Sequence, residues 1–273
     1  MDNRYFDTHT HYNDRRFDED LPEVLQKVLA AGVLRDTIIG YDLESSKKAI
    51  RLAEAQQQME NEPLHYVAVG IHPLYTGEKD TDESDLMALE ILAEDPAVVA
   101  IGEIGLDYHQ KTPEISPDKE GQQWFFRKQL RIARRAGLPV VIHSRDAMQD
   151  TLQILEEEKA SEVGGVLHCY SGSPEMAEIF VRMGFLLGIG GMVTRPNAKK
   201  LRETVQRISL DNLVLETDCP YLPPESLPRH ARNDSAALPE IAAAVAELKG
   251  CSMEEVCRVT WENACRLFCQ GKD

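Results

Sequence analysis

The chain has 273 residues, of which 42% are hydrophobic, 28% charged and 6% aromatic, the usage of a folded globular protein and not of a disordered or low-complexity one. Thirty Lys and Arg against 46 Asp and Glu leave a formal net charge of −16, which argues against a protein that coats duplex nucleic acid through a broad basic face, since such binding rests on many phosphate contacts. No apolar run approaches the roughly 18 residues of a membrane span, the start Met1-Asp2-Asn3-Arg4 has no signal-like apolar core, and the six cysteines include no C-x-x-C pair, so a cytoplasmic protein with reduced thiols, no disulfide framework and no thiolate metal site is expected.

From the amino terminus onward, β-branched apolar runs alternate with longer stretches of helical period, the pattern of repeated βα units. A first strand over 4–11 leads to a helix over 21–32, opened by Pro22 and closed by Gly32. Strands at 35–41, 64–71 and 97–103 are followed by helices at 44–60, 82–94 and 119–136, the last closed by Gly137. Strands at 138–143, 163–168, 185–190 and 212–217 then alternate with helices at 146–159, 174–183, 197–207 and 236–249. A last helix, 253–269, follows Ser252, an N-cap whose partner Glu255 completes a capping box. No Pro-, Gly- or Ser-rich linker divides the chain. The expectation is therefore one domain, residues 1–273, of the α/β class: a (β/α)8 TIM barrel with an extra C-terminal helix, since a doubly wound open sheet would have fewer strands. Three polar stretches, 73–81, 108–118 and 219–235, follow strands and so belong on the face where barrels build active sites.

Histidines and carboxylates gather at the strand ends. The first strand runs into Asp7-Thr8-His9-Thr10-His11, the third ends at His72-Pro73, and the fourth runs through Glu103 to Asp107. The fifth ends at His143-Ser144-Arg145, the sixth at His168-Cys169 and the eighth at Glu216-Thr217-Asp218. His9 and His11, two apart on a strand, share a face and can enter one barrel mouth. With Glu103, His143, His168 and Asp218 they make a six-donor set that would be costly to leave uncompensated. It divides into two shells, His9, His11 and Asp218 in one and His143 and His168 in the other, with Glu103 between them offering one oxygen to each. Imidazole with carboxylate suits zinc first, and manganese, iron or nickel better than magnesium, which stays an alternative on availability. Two such ions about 3.5 to 4 Å apart activate water for hydrolysis. Asp218 and Glu103 are the catalytic candidates: Asp218 as ligand and as base for the nucleophile's proton, Glu103 as the bridge.

Other polar residues carry weaker signals. His72 is read as a donor to a phosphate oxygen, or else as a structural hydrogen bond beside its turn. Arg145 can reach a phosphate with two donors or pair with Asp146, and Tyr108 can stack on a base or pack within its loop. Asp107 is placed behind a ligand histidine as its orienting partner. Arg229, His230 and Arg232 form a small basic cluster, either a phosphate contact or a solvated loop. Gly188-Ile189-Gly190-Gly191 lacks the spacing of a nucleotide-cofactor loop, so no organic cofactor is expected.

The stretches D-T-H-T-H at 7–11, G-I-H-P at 70–73, G-E-I-G-L-D-Y at 102–108, P-V-V-I-H-S-R-D-A at 139–147, H-C-Y-S-G at 168–172, E-T-D-C-P-Y-L at 216–222 and E-N-A-C-R-L-F at 262–268 follow one another in this order. Together they make the chain resemble the TatD family of metal-dependent hydrolases, a branch of the amidohydrolase superfamily, over essentially its whole length. The resemblance implies metal coordination by His9, His11, Glu103, His143, His168 and Asp218 and a deoxyribonuclease that removes nucleotides from DNA 3′ ends. The expected activity is thus a 3′-to-5′ exonuclease on single-stranded or frayed DNA, working through a metal-bridged hydroxide, with no membrane association and no obligate protein partner. The competing reading keeps the metals but takes a small phosphoester, amide or lactone; a metal-retaining interaction protein is a third. Two departures bear on substrate: Arg232-Asn233-Asp234-Ser235 where many relatives have R-N-E-P, and Leu74 after His72-Pro73.

Overall fold

A computed structural model describes residues 3–56, 63–76, 82–110 and 117–269. Eight strands, β1 (Tyr5–Thr10), β2 (Val33–Ile39), β3 (Leu64–Val69), β4 (Val98–Asp107), β5 (Val140–Arg145), β6 (Gly165–Leu167), β7 (Phe185–Ile189) and β8 (Leu213–Leu215), pair in parallel in chain order. The helices between them are α1 (Leu21–Ala30), α2 (Leu43–Gln56), α3 (Glu83–Leu92), α4 (Lys119–Ala136), α5 (Met148–Glu157), α6 (Pro174–Arg182) and α7 (Lys199–Arg207). Two more, α8 (Leu238–Lys249) and α9 (Met253–Phe268), follow β8. Closure uses the segment beyond β8: Asp218 N–H donates to the His9 carbonyl at 2.9 Å, His11 N–H to the Cys219 carbonyl at 2.8 Å, and Thr10 bridges Cys219. The α/β barrel and its extra helix are as the sequence pattern predicts. No helix among the described residues is long and apolar enough to cross a membrane.

Two apolar layers hold the barrel. Phe6, Tyr66, Val99, Val141, Val166, Leu186 and Val214 come from different strands and pack together with Trp261, Ala264 and Phe268 of α9, so that α9 plugs the end opposite the histidines. Phe6 stacks on Tyr66 at 5.7 Å and meets the edge of Trp261 at 6.0 Å. Outside, residues such as Ile101, Ile142 and Leu187 pack against Leu89, Phe126 and Phe180 of the helices. Ser252 Oγ accepts from Glu255 N–H at 3.2 Å, the predicted cap of α9.

Strand lengths differ from the sequence expectation where they matter for the mouth. β4 runs to Asp107, not 103, because a register shift between Ile101 and Ile104 lets pairing with β5 resume as far as Asp107 and Arg145. β6 and β8 are three residues each, since the chain leaves the ladder at once to present His168 and Asp218. Beneath Glu103 the backbones approach too closely for side chains: a Cβ on Gly70 would stand 2.6 Å from the Gly102 carbonyl carbon, and one on Gly102 would stand 2.5 Å from the Val141 Cβ. The loop parts 77–81 and 111–116 of the predicted polar stretches lie outside the described residues.

Candidate metal centre and active site

The short β1 end brings His9 and His11 inward with their Nε2 atoms 3.3 Å apart. His11 Nδ1 lies 3.1 Å from the Ile39 carbonyl, which fixes its proton there and turns a lone pair on Nε2 toward His9. Against these nitrogens stand Asp218 Oδ1, at 3.3 Å from His11 and 3.7 Å from His9, and Glu103 Oε2, at 4.0 and 3.6 Å. The other Glu103 oxygen faces elsewhere: Oε1 is 2.8 Å from His143 Nδ1 and 3.0 Å from His168 Nε2. His143 Nε2 is directed to Asp107 Oδ2 at 3.2 Å, leaving Nδ1 to present its lone pair to Glu103. Lone pairs of imidazole and carboxylate facing each other at such distances repel unless a proton or a metal cation stands between them. The donor set therefore fits divalent metal ions, and the ligand atoms of His9, His11 and Glu103 converge within 4.8 Å.

Electrostatics agree with the geometry. Burial opposes ionisation of Glu103, yet the charge on His168 and the bonds from His143 and His168 outweigh it and hold the carboxyl well below the usual range. Asp218 is partly buried, and its pairing with a charged His11 and the nearby His168 and His9 lower it against that burial, so it is ionised at neutral pH. Asp218 and Cys169 both sit in the left-handed region, at φ +54° and +43°, a backbone cost that recurs at functional sites. Both turns follow directly on the short strands that deliver the ligands.

Two cavities of about 750 and 760 Å³ open from this floor and share His143, Arg145, His168, Asp218 and Tyr221. The first runs past Asn13, Lys48, Arg51 and the stacked pair Tyr41–Tyr75, whose centroids are 5.6 Å apart. The second runs past Met192, Leu201 and Leu222 with Lys199 and Lys200 on its wall, and Asp218 is the single carboxylate among its described lining residues.

The weaker candidates separate here. His72 accepts from Leu74 N–H at its Nδ1, 3.1 Å, so its proton is on Nε2, 3.8 Å from Glu103 Oε1. Burial pushes its pKa down to about 3, and the neutral ring stands in the first cavity as a hydrogen-bond donor. Arg145 lines both cavities, and Asp146 pairs with His109 instead of with it. Tyr108 is not at the mouth: its hydroxyl donates to Asp150 at 2.9 Å and accepts from Gln123 at 2.7 Å, and Lys119 lies over its ring at 4.4 Å. The chain turns outward after Asp107 and docks this ring on α4 and α5, which favours the packing reading of Tyr108 over stacking on a base. Arg232 pairs with Asp20 and lies over Phe17, so it is a clasp between loops. In the departing Asn233-Asp234-Ser235 stretch, Asn233 Nδ2 donates to the Thr217 and Tyr221 carbonyls, and Ser235 Oγ donates to Asp7 Oδ2. The stretch ties the segment after β8 to β1.

Glu216 carried no assignment from sequence. It is fully buried, and its Oε1 accepts the Cys169 N–H and lies 3.7 Å from His168 Nδ1. The signal was its spacing, two residues before Asp218 at a strand end.

A model of the TatD related DNase family matches residues 6–269. The chain is 41% identical over 264 residues to an uncharacterized metal-dependent hydrolase, YabD, of Bacillus subtilis, covering 96% of this chain and 98% of that protein. It is 34% identical to a protein of Pantoea vagans named 3'-5' ssDNA/RNA exonuclease TatD, covering 96% and 98%. Among solved structures, the TatD homolog YjjV of Escherichia coli superposes with a TM-score of 0.89 at 31% identity over 98% of this chain and 99% of that one. With the eight-stranded barrel and its converging histidines and carboxylates, these likenesses place the chain in the family of TatD-related DNases, as a metal-dependent hydrolase acting on ester bonds.

Proposed function

We propose that this hydrolase cleaves phosphodiester bonds and releases nucleotides from the 3′ ends of single-stranded or frayed DNA, with two divalent cations, zinc first. The observation that carries the reading is the posture of Glu103, one oxygen turned to His9 and His11 and the other to His143 and His168. His9, His11 and Asp218 would hold one ion, His143 and His168 the other, and Glu103 would serve both. Such ions supply Lewis acidity, lowering the pKa of water and neutralising charge that builds on phosphate oxygens.

The side chains do the rest. Asp218, ionised and reached from both cavities, takes the proton of the attacking water. His72 offers its Nε2–H, and Arg145 its guanidinium, to non-bridging phosphate oxygens. Lys199 and Lys200 give the second cavity a positive balance suited to a phosphate backbone, while Tyr41 and Tyr75 offer the first an aromatic wall for a base. The name of the Pantoea relative points to the same substrate class. The free cysteines accord with a reducing compartment, the cytoplasm.

The test is a panel of 3′-labelled and 5′-labelled oligonucleotides beside small phosphoesters, amides and lactones, each with and without chelator. Early release of the 3′ label and stepwise shortening of the 5′-labelled strand, both stopped by chelator, are expected. Turnover of a small ester or amide with no nucleotide release would replace this reading with that of a small-molecule hydrolase.

A further inference from the structure

The four imidazoles of the centre are supported unequally from behind. His11 has the Ile39 carbonyl on its rear nitrogen, and His143 has Asp107. His9 Nδ1 and His168 Nδ1 are buried and have no hydrogen-bond partner. The two rings stack at 3.9 Å and 19°, one from each half of the donor set. Beside them lies a third orphan, Glu216 Oε2, in a side chain that is 0% exposed. A ring nitrogen of His9, one of His168 and an oxygen of Glu216 all fall within 4.8 Å of one another. Room for this carboxylate is made by β7, where a Cβ on Gly188 would come within 2.1 Å of Glu216 Oε2.

A third cation among these atoms does not fit, because a neutral imidazole has one lone pair and the front nitrogens of His9 and His168 would use theirs on the two proposed ions. Each ring must then keep a proton on Nδ1, and a buried N–H needs an acceptor. We infer that Glu216 is the shared positioning residue of His9 and His168, accepting their Nδ1 protons and so fixing one ligand in each metal subsite. Asp107 does this for His143 alone. Rear partners of this kind typically tune metal affinity by about 10- to 100-fold. Glu216 thus couples the two subsites through the protein, in addition to the bridge in front.

This inference rests on the two-cation reading above, and the experiment separates the two. The full chain is stripped with chelator and titrated with Co(II), following visible absorption and bound metal after desalting, for wild type, Glu216→Gln and Asp107→Asn. Wild type should take up two equivalents. Asp107→Asn should weaken one site and leave the other, whereas Glu216→Gln should weaken both by about 10- to 100-fold. Wild-type affinity in Glu216→Gln, or weakening of the same single site as in Asp107→Asn, overturns the inference; no cobalt uptake by wild type overturns the metal centre itself and the inference with it. A measurement free of substitution covers the case in which Glu216→Gln does not fold. In zinc-loaded wild type labelled with 15N-histidine, the Nδ1 protons of His9 and His168 should be far downfield and slow to exchange. Rapid exchange of the His168 proton counts against Glu216.

Discussion

Asp218 is where several demands meet on one residue. Its backbone hydrogen-bonds to His9 across the barrel seam, its φ is left-handed, and its carboxylate is 3.3 Å from His11 while keeping 13% exposure toward the cavities. Asn would preserve the shape and the turn but could not take a proton. Asp218→Asn should lower kcat by roughly 10²–10⁴-fold with a smaller change in KM. Steady-state kinetics on a labelled oligonucleotide reads this, and near-wild-type kcat would remove Asp218 from the base role. The convergence of His9, His11, Glu103, His143, His168 and Asp218 was legible because each sits at a predicted strand end, where alternation and barrel geometry dictate direction. Glu216 was not, because what defines it is Cys169 from the end of β6 and Gly188 from β7, two neighbours far away in sequence. Tyr108 stayed open between stacking and packing for the same reason: its partners Gln123 and Asp150 lie on α4 and α5.

Among the elements, α9 decides stability and the second cavity decides substrate length. Phe268 is 2% exposed and joins Phe6 and Trp261 inside the barrel, at 6.1 Å from Phe6. Phe268→Ala should cost about 3–5 kcal/mol, read as a lowered midpoint in urea with unchanged slope, since the cavity cannot be filled by the short strands around it. A cost under about 1 kcal/mol would mean that α9 is not the plug. A sequence reader sees this helix but not its task, because its amphipathic pattern is equally that of one more outer helix. On the opposite face, Lys199 and Lys200 line a cavity whose other named walls are largely apolar. Lys199→Glu with Lys200→Glu should raise KM increasingly from a dinucleotide to a decanucleotide. The salt slope of log KM should fall by about 0.7 for each lysine lost as a phosphate contact. An unchanged KM at every length would place the strand in the first cavity instead.

For the whole molecule, the net charge of −16 acquires a narrower meaning. It repels a polyanion from most of the surface, while the divalent ions proposed at Glu103 and Asp218 would reverse the sign at the mouth. Such an enzyme should grip DNA weakly, and only when metal-loaded. Measured by fluorescence anisotropy at about 0.15 M salt, the metal-free chain should show no tight duplex binding, and finding it would contradict this picture. The barrel itself was legible from eight regular βα alternations and the absence of linkers. The bulge in β4 and the closure through Asp218 and Cys219 were not, since both depend on pairing across the sheet. The proposed chemistry is phosphodiester hydrolysis by a two-cation centre. The most direct measurement is the rate of nucleotide release from a 3′-labelled oligonucleotide by chelator-stripped protein as divalent metal is added back, with His168→Ala alongside. Activity that is absent without metal, rises to a plateau at two equivalents and is nearly abolished in His168→Ala is predicted; full activity in the stripped protein or in His168→Ala would contradict the claim.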